Sequence, residues 1–288
     1  MDLRAMLMGL AFVFMWSSAF TSARFIVADA SPIYALALRF FLSGIIGVLL
    51  ARALGQTWHL TREQWRATII FGLCQNALYL GLNFVAMQTV EASLAAIIAS
   101  SLPLLVAFAL WAIWRQNPGF IGLSGLAAGF VGVGLIMGAR LSGGVDPMGI
   151  AFCVLGAVAL AVATLSVRGA TSGGNVLMIV GLQMLVGGAM LLAFAIPFET
   201  PRLTPSWPLV IAFAYTTLFP GLVATWVWFM LVNQIGATRA ATFHFLNPVF
   251  GVLIAWAFLG ERLGPTDLIG VLIVTAGILA VQLSRQTG

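Results

Sequence analysis

The sequence predicts an all-α integral membrane protein, with ten transmembrane helices arranged as two inverted five-helix repeats. Three observations lead there. Of 288 residues, 61% are hydrophobic and 7% charged, with a mean hydropathy of +1.08, which is more apolar surface than a water-soluble core of this size can hide. The apolar residues fall into ten unbroken runs, each near the roughly 20 residues a helix needs to cross a hydrocarbon core of about 30 Å. Finally, the later part of each half repeats in the other.

The first span, about Ala5 to Ala23, follows Arg4. A cleaved signal peptide ending near Ala28-Asp29-Ala30 is disfavoured, because the run is too long and Arg24 interrupts the approach to the site. The second, Pro32 to Ala51, opens on a proline and contains Arg39. The third, Ala67 to Ala86, places Asn76, Tyr79 and Asn83 at i, i+3 and i+7, on one helical face. The fourth, Ala92 to Trp114, has Pro103 at mid-span, and the fifth, Gly119 to Gly138, carries a stripe of Gly122, Gly125, Gly129 and Gly132. Next come Met148 to Val167, Val176 to Phe198, and Pro208 to Val232 with its internal Pro220-Gly221. Ala240 to Leu259, containing Pro248, and Leu268 to Leu283, with Gly270 and Gly277 on either side of its first half, complete the ten. Membrane strands would alternate in polarity every second residue, and these runs do not. Small-residue stripes allow helix backbones to approach closely, whether within one chain or between two. Cys74 and Cys153 both fall within spans and read as small buried hydrophobes rather than a disulfide.

All 13 basic residues are arginine. Arg4, Arg52, Arg62, Arg66, Arg115, Arg168, Arg239 and Arg285 fall on the side of the amino terminus, against Arg24, Arg140, Arg202 and Arg262 on the other. The positive-inside rule then places both termini in the cytoplasm, and the basic balance reflects topology rather than nucleic-acid binding.

The repetition has a fixed register. Shifted by 145 positions, Ala92, Ala95, Ala96, Pro103, Trp111, Gly119, Gly125 and Gly132 fall on Ala237, Ala240, Ala241, Pro248, Trp256, Gly264, Gly270 and Gly277. At a shift of 140, Met8-Gly9-Leu10-Ala11-Phe12 meets Met148-Gly149-Ile150-Ala151-Phe152. The units are residues 1–140 and 146–288 of one integrated membrane domain. Five crossings per unit make the second copy enter from the opposite face, a plan common among secondary transporters.

Polar chemistry collects near the predicted midplane, where it is costly unless it faces protein or a cavity. Trp16, Asn76, Gln183 and Asn247 lie there, with the helix breakers Pro103, Pro220, Gly221 and Pro248 as hinges. The register carries the Asn76 face onto Gly221, Ala224 and Trp228, small residues beside an aromatic one that leave room for a flat group. The candidate cavity residues are thus Trp16, Asn76, Tyr79, Asn83, Trp228, His244 and Asn247. Arg39, about 12 Å below the outer surface, is poorly placed to snorkel and reads first as a clasp on backbone carbonyls, second as a charge partner for a solute. Its repeat partner is the uncharged Gln183. His244 is the one histidine inside a span, and no carboxylate sits mid-helix to relay protons.

Several of these features together resemble the drug/metabolite transporter superfamily, and within it the EamA-type exporters. They are the two five-helix units, Arg39-Phe40-Phe41 in the second helix, Pro103 and Pro248 in the fourth and ninth, and Leu259-Gly260-Glu261 closing the ninth. The first repeat departs from the pattern, with Arg115-Gln116-Asn117 where the second has Gly260-Glu261-Arg262. The resemblance implies export of a small metabolite by alternating access from a bacterial inner membrane. The aromatic-rich third and eighth helices resemble those of aromatic amino-acid exporters in this family, which implies aromatic or other hydrophobic amino acids as cargo, with other small metabolites or drugs as the alternative. A small-molecule solute and membrane lipid are the expected partners; no cofactor, metal or nucleic acid is expected. Neither a phosphate-binding loop nor paired Cys or His spacing is present, and enzyme chemistry is not expected. The remaining hydrolase reading would need Ser100 or Ser101 to pair with His244.

Overall fold

A computed structural model describes residues 3–166 and 175–284, without the side chains of Trp226, Phe229, Asn233, Ala237, Thr238 and Arg239. Arg168, Arg285, the predicted end of the sixth span at Val167, and the outermost residues of both repeat units lie outside the described residues.

Among the described residues, nine helices are long and apolar enough to cross a membrane: α1 (Leu3–Asp29), α2 (Pro32–Ala53), α3 (Arg62–Ala86), α4 (Ala92–Ala112), α5 (Gly119–Ser142), α6 (Pro147–Ser166), α7 (Val176–Phe198), α9 (Ala240–Leu259) and α10 (Pro265–Ser284). The tenth, α8, is built of Trp207–Leu218, a wider turn Phe219–Val223, and Ala224–Ile235. The protein is thus a ten-helix membrane fold, and its helix ends differ from expectation for local reasons. α1 passes its predicted end because Arg24 donates to the carbonyls of Met87 and Val90, so its charge need not reach water. α3 begins at Arg62 because Thr61 and Gln64 form a reciprocal cap. The Gln64 N–H donates to Thr61 Oγ1 at 3.2 Å, and the Thr61 N–H donates to Gln64 Oε1 at 3.0 Å.

The helices pair with two-fold regularity. α1 packs on α8 and α9 as α6 packs on α3 and α4, while α2 pairs with α7 and α5 with α10. After five crossings α6 runs opposite to α1, so the two halves are inverted copies.

The glycine stripes of α5 and α10 face each other within one chain. A Cβ on Gly277 would lie 2.6 Å from the Gly129 N and 2.7 Å from the Gly125 O, and one on Gly132 would lie 3.0 Å from the Gly270 O. These are backbone atoms that cannot turn aside, so any side chain must wedge the helices apart. Gly277→Ala is expected to cost about 1–3 kcal/mol, read as a lowered unfolding midpoint in detergent.

Polar clasps join the halves on the face away from Leu3 and Ser284. The Glu199 carboxylate accepts from the N–H groups of Ile33 (3.0 Å) and Tyr34 (2.9 Å), at the start of α2. Glu261 does the same for Ala92 (2.8 Å) and Ser93 (3.0 Å), at the start of α4. Each thereby satisfies two helix-end donors and places negative charge at the positive end of a helix. Arg202 donates to the Val27 carbonyl at 3.2 Å, and Ser206 bonds Asp29. Arg140 forks onto Asp267 at 3.1 and 3.0 Å and also pairs with Glu91, linking α5 and α10 to the turn before α4. Burial pushes the Glu91 carboxyl up, against the downward pull of Arg140. On the other face Gln56 accepts from the Met178 N–H, the Thr57 N–H donates to Asn175, and Gln282 donates to the Ala241 carbonyl.

Candidate functional site

Four helices lose regular α geometry at mid-depth, in two repeat-related pairs. α3 widens to a π-helix over Gly72–Leu80, and α8 over Phe219–Val223, beginning next to Pro220, which has no N–H to give. α4 breaks at Ser101 just ahead of Pro103, and α9 tightens to a 3₁₀ turn over Phe243–Leu246 just ahead of Pro248. The hinge candidates Pro103, Pro220, Gly221 and Pro248 therefore all sit at real interruptions.

Two adjoining chambers lie between these breaks. The first lies among α1, α2, α3, α7 and α8. Trp16 and Phe20 of α1, Asn76, Tyr79 and Asn83 of α3, Arg39 of α2, and Pro220 and Gly221 of α8 all line it. The second, smaller one lies among α1, α3, α4, α6 and α9, where Ser100, Pro103, His244 and Asn247 contribute. Trp16, Phe20 and Tyr79 border both.

The two halves differ in side-chain size at these walls. At the shift of 140 positions Trp16 corresponds to Gly156, and at 145 Tyr79 corresponds to Ala224. On one side a large ring on the first helix of a repeat thus faces a small residue; on the other a large ring on the third helix faces glycine. Gly156 is required there, since a Cβ would lie 2.8 Å from Asn83 Nδ2 and 3.1 Å from the Tyr79 O. Both large aromatic walls therefore come from the first half, Trp16 on α1 and Tyr79 on α3, and the second half supplies the small residues.

The polar groups have distinct bonding. Asn76 Nδ2 donates to the backbone carbonyl of Gln183 at 2.9 Å, fixing α3 to α7. The Gln183 side chain is buried outside both chambers. Asn83 Nδ2 donates to the Tyr79 carbonyl at 2.8 Å, which leaves its buried Oδ1 without a partner. Asn247 Nδ2 meets His244 Nδ1 at 2.9 Å, so Nδ1 is the acceptor, and Asn247 Oδ1 is likewise unpartnered. Trp228 lines neither chamber. It packs on Phe12 (ring centroids 4.8 Å apart) and His244 (5.2 Å), in an aromatic cluster towards the face that carries Leu3.

Arg39 corrects one expectation. It is 6% exposed, forms no ion pair among the described residues, and its Nε has no hydrogen-bond partner. The carbonyl clasps are made instead by Arg24 and Arg202, which lie at helix ends where terminal carbonyls are free. At mid-helix the carbonyls near Arg39 are already committed to their own ladder.

The serines are committed as well. Ser100 Oγ donates to the Ala96 carbonyl and Ser101 Oγ to the Ile98 carbonyl, each at 2.6 Å, and His244 is bonded to Asn247 rather than to either. That geometry builds no nucleophile and base pair. No group of three or more His, Cys, Asp or Glu side chains able to hold a metal occurs among the described residues.

A seam of hydroxyls between α1 and α8 escaped the sequence reading. Ser18 Oγ and Tyr215 Oη are 2.7 Å apart, and Thr216 Oγ1 donates to Ser22 Oγ at 2.7 Å. Its signal was present in the spacing of Ser18 and Ser22, one helical turn apart in a hydroxyl-rich stretch that also holds Ser17 and Thr21.

Comparison with known proteins agrees with this architecture. Among relatives, the chain is 25% identical over 285 residues to the uncharacterized inner membrane transporter YedA of Escherichia coli K12, covering 96% of this chain and 89% of that one. It is 24% identical over 271 residues to the uncharacterized transporter YvbV of Bacillus subtilis, covering 93% and 88%. A WAT1-related chloroplastic protein of Arabidopsis thaliana is 24% identical over 278 residues, covering 93% of this chain and 67% of the plant protein. A solved crystal structure shares the fold over 100% of this chain and 99% of its own, with a TM-score of 0.67 at 20% identity. The model of the EamA-like transporter family matches twice, over residues 3–138 and 147–283. With nearly its whole length matched in two successive copies, the chain belongs to the EamA-like transporter family.

Proposed function

We propose that this membrane transporter exports small metabolites, in the first place aromatic or other hydrophobic amino acids, by alternating access to its paired central chambers. The observation that supports this best is the first chamber, whose aromatic walls from Trp16 and Tyr79 stand beside polar groups from Asn76, Asn83 and Arg39 at mid-depth. The second chamber adds His244 and Asn247, and Trp228 backs His244 from behind. The interruptions in α3, α4, α8 and α9 would let half-helices tilt about a fixed site. Residues 1–140 and 146–288 are the two units that rock, with both termini in the cytoplasm and the clasped face outward, in a bacterial inner membrane. The chain works without enzymatic chemistry or a cofactor, its partners being solute and lipid.

Efflux from liposomes of reconstituted protein tests the reading with phenylalanine, tryptophan, threonine and a sugar. Export of the aromatic pair ahead of the others supports it; equal or absent transport of that pair overturns it. His244→Gln, compared with the parent across pH, checks the coupling. With Nδ1 already accepting from Asn247, the variant is expected to keep the pH profile of the parent, whatever its rate.

A further inference from the structure

We propose that Arg39 is the anchor for a carboxylate group of the transported solute, and that Asn83 Oδ1 accepts from the amino group of the same molecule. This rests on the first chamber being the solute site. The guanidinium borders that chamber, is 94% buried (6% exposed), lies 5.2 Å from the Phe40 ring centroid, has no acidic partner among the described residues, and has an unpaired Nε. Buried polar groups are almost always bonded, and a buried cation without a counter-charge is the costliest exception.

The surroundings leave room for an anion. Gly221, in the wide turn of α8, stands where a Cβ would lie 3.7 Å from Arg39 Nη2, so glycine holds the chamber open beside the fork. The described carboxylates that have a bonded partner, Asp29, Glu91, Asp146, Glu199, Glu261 and Asp267, all lie at helix ends on the clasped face. Planar and five-donored, a guanidinium binds a carboxylate through two parallel bonds. Across the same chamber Asn83 Oδ1 is a buried acceptor with nothing to accept, its Nδ2 being used by the Tyr79 carbonyl. An unpaired donor fork and an unpaired acceptor in one apolar-walled chamber complement a zwitterion, not a neutral sugar or a cation.

Binding to the purified full-length protein, followed by ligand-induced thermal stabilisation, separates the possibilities. The probes are phenylalanine, phenylalaninamide, 3-phenylpropionate, and the ring-free pair hexanoate and hexanamide. Phenylalanine and both carboxylates should stabilise the parent, and the two amides should bind at least about tenfold more weakly. Arg39→Gln should erase that preference and Arg39→Lys should restore part of it. Asn83→Ala should weaken phenylalanine and leave 3-phenylpropionate unchanged. If acids and amides bind alike, or Arg39→Gln keeps the preference, the anchor is overturned while an aromatic site can stand. If hexanoate binds in an Arg39-dependent way and phenylalanine does not, the anchor holds and the aromatic cargo is wrong. Absence of binding by every carboxylate overturns the anchor. Should Arg39→Gln not fold, the Lys variant and the acid-to-amide ratio of the parent still decide.

Discussion

Glu261→Ala is expected to destabilise the protein by about 3 kcal/mol, through the loss of two bonds rather than one. The carboxylate is 9% exposed and its two oxygens accept separately from Ala92 and Ser93, whose own side chains are fully shielded. Removing it strands two buried N–H groups at the start of α4, each costing about 1–3 kcal/mol, and removes a negative charge from the helix end. Glu261→Gln retains an acceptor for one N–H and should lose about half as much. Unfolding midpoints in detergent measure both, and an Ala variant within about 0.5 kcal/mol of the parent would refute the capping role. Glu199 caps α2 in the same way, with no shared partner, so the Glu199→Ala and Glu261→Ala losses should add.

That clasp also shows what a sequence can and cannot tell. Leu259-Gly260-Glu261 was visible as a helix end, and Gly260 does take a left-handed φ of 67° there. Its counterpart in the first repeat is Gln116, so the Leu-Gly-Glu signature itself occurs once, and the matching cap on α2 comes from Glu199, outside that signature. The target of the carboxylate could not be read, because Glu261 reaches 169 positions back along the chain. Spans were legible because each run of apolar residues must satisfy its backbone internally in lipid. Pro103 and Pro248 were legible as breaks because proline lacks the N–H that a helix needs. The π-helical turn of α3 has no such marker in its sequence: Gly72–Leu80 contains no proline, and the extra residue per turn is accommodated only by packing on α6 and α7. Arg39 was misjudged for a related reason. Depth along α2 gave its distance from the surface but not which neighbour its side chain would meet, and that neighbour is a chamber.

Trp16→Ala is expected to reduce efflux of an aromatic solute by at least about tenfold while changing threonine efflux little. Trp16 is shared by both chambers and is only partly buried by protein, so part of its ring remains for a solute to cover. A whole buried tryptophan covers about 150–250 Å², worth several kcal/mol at about 25 cal/mol per Å². Even a third of that face amounts to roughly 1.4 kcal/mol, which is about tenfold in affinity. Trp16 also lies 5.7 Å from Phe12 and 6.3 Å from His244 between ring centroids, so its removal loosens the aromatic cluster behind it. Trp16→Phe separates the two roles: a ring returns to the chamber, and aromatic efflux should recover to within a few-fold of the parent. Equal losses for phenylalanine and threonine in the Ala variant, with none restored by Phe, would show that Trp16 supports the fold and does not touch the solute. A loss confined to the aromatic solute and repaired by Phe makes Trp16 a wall of the solute site beside Tyr79, both rings being supplied by the first half.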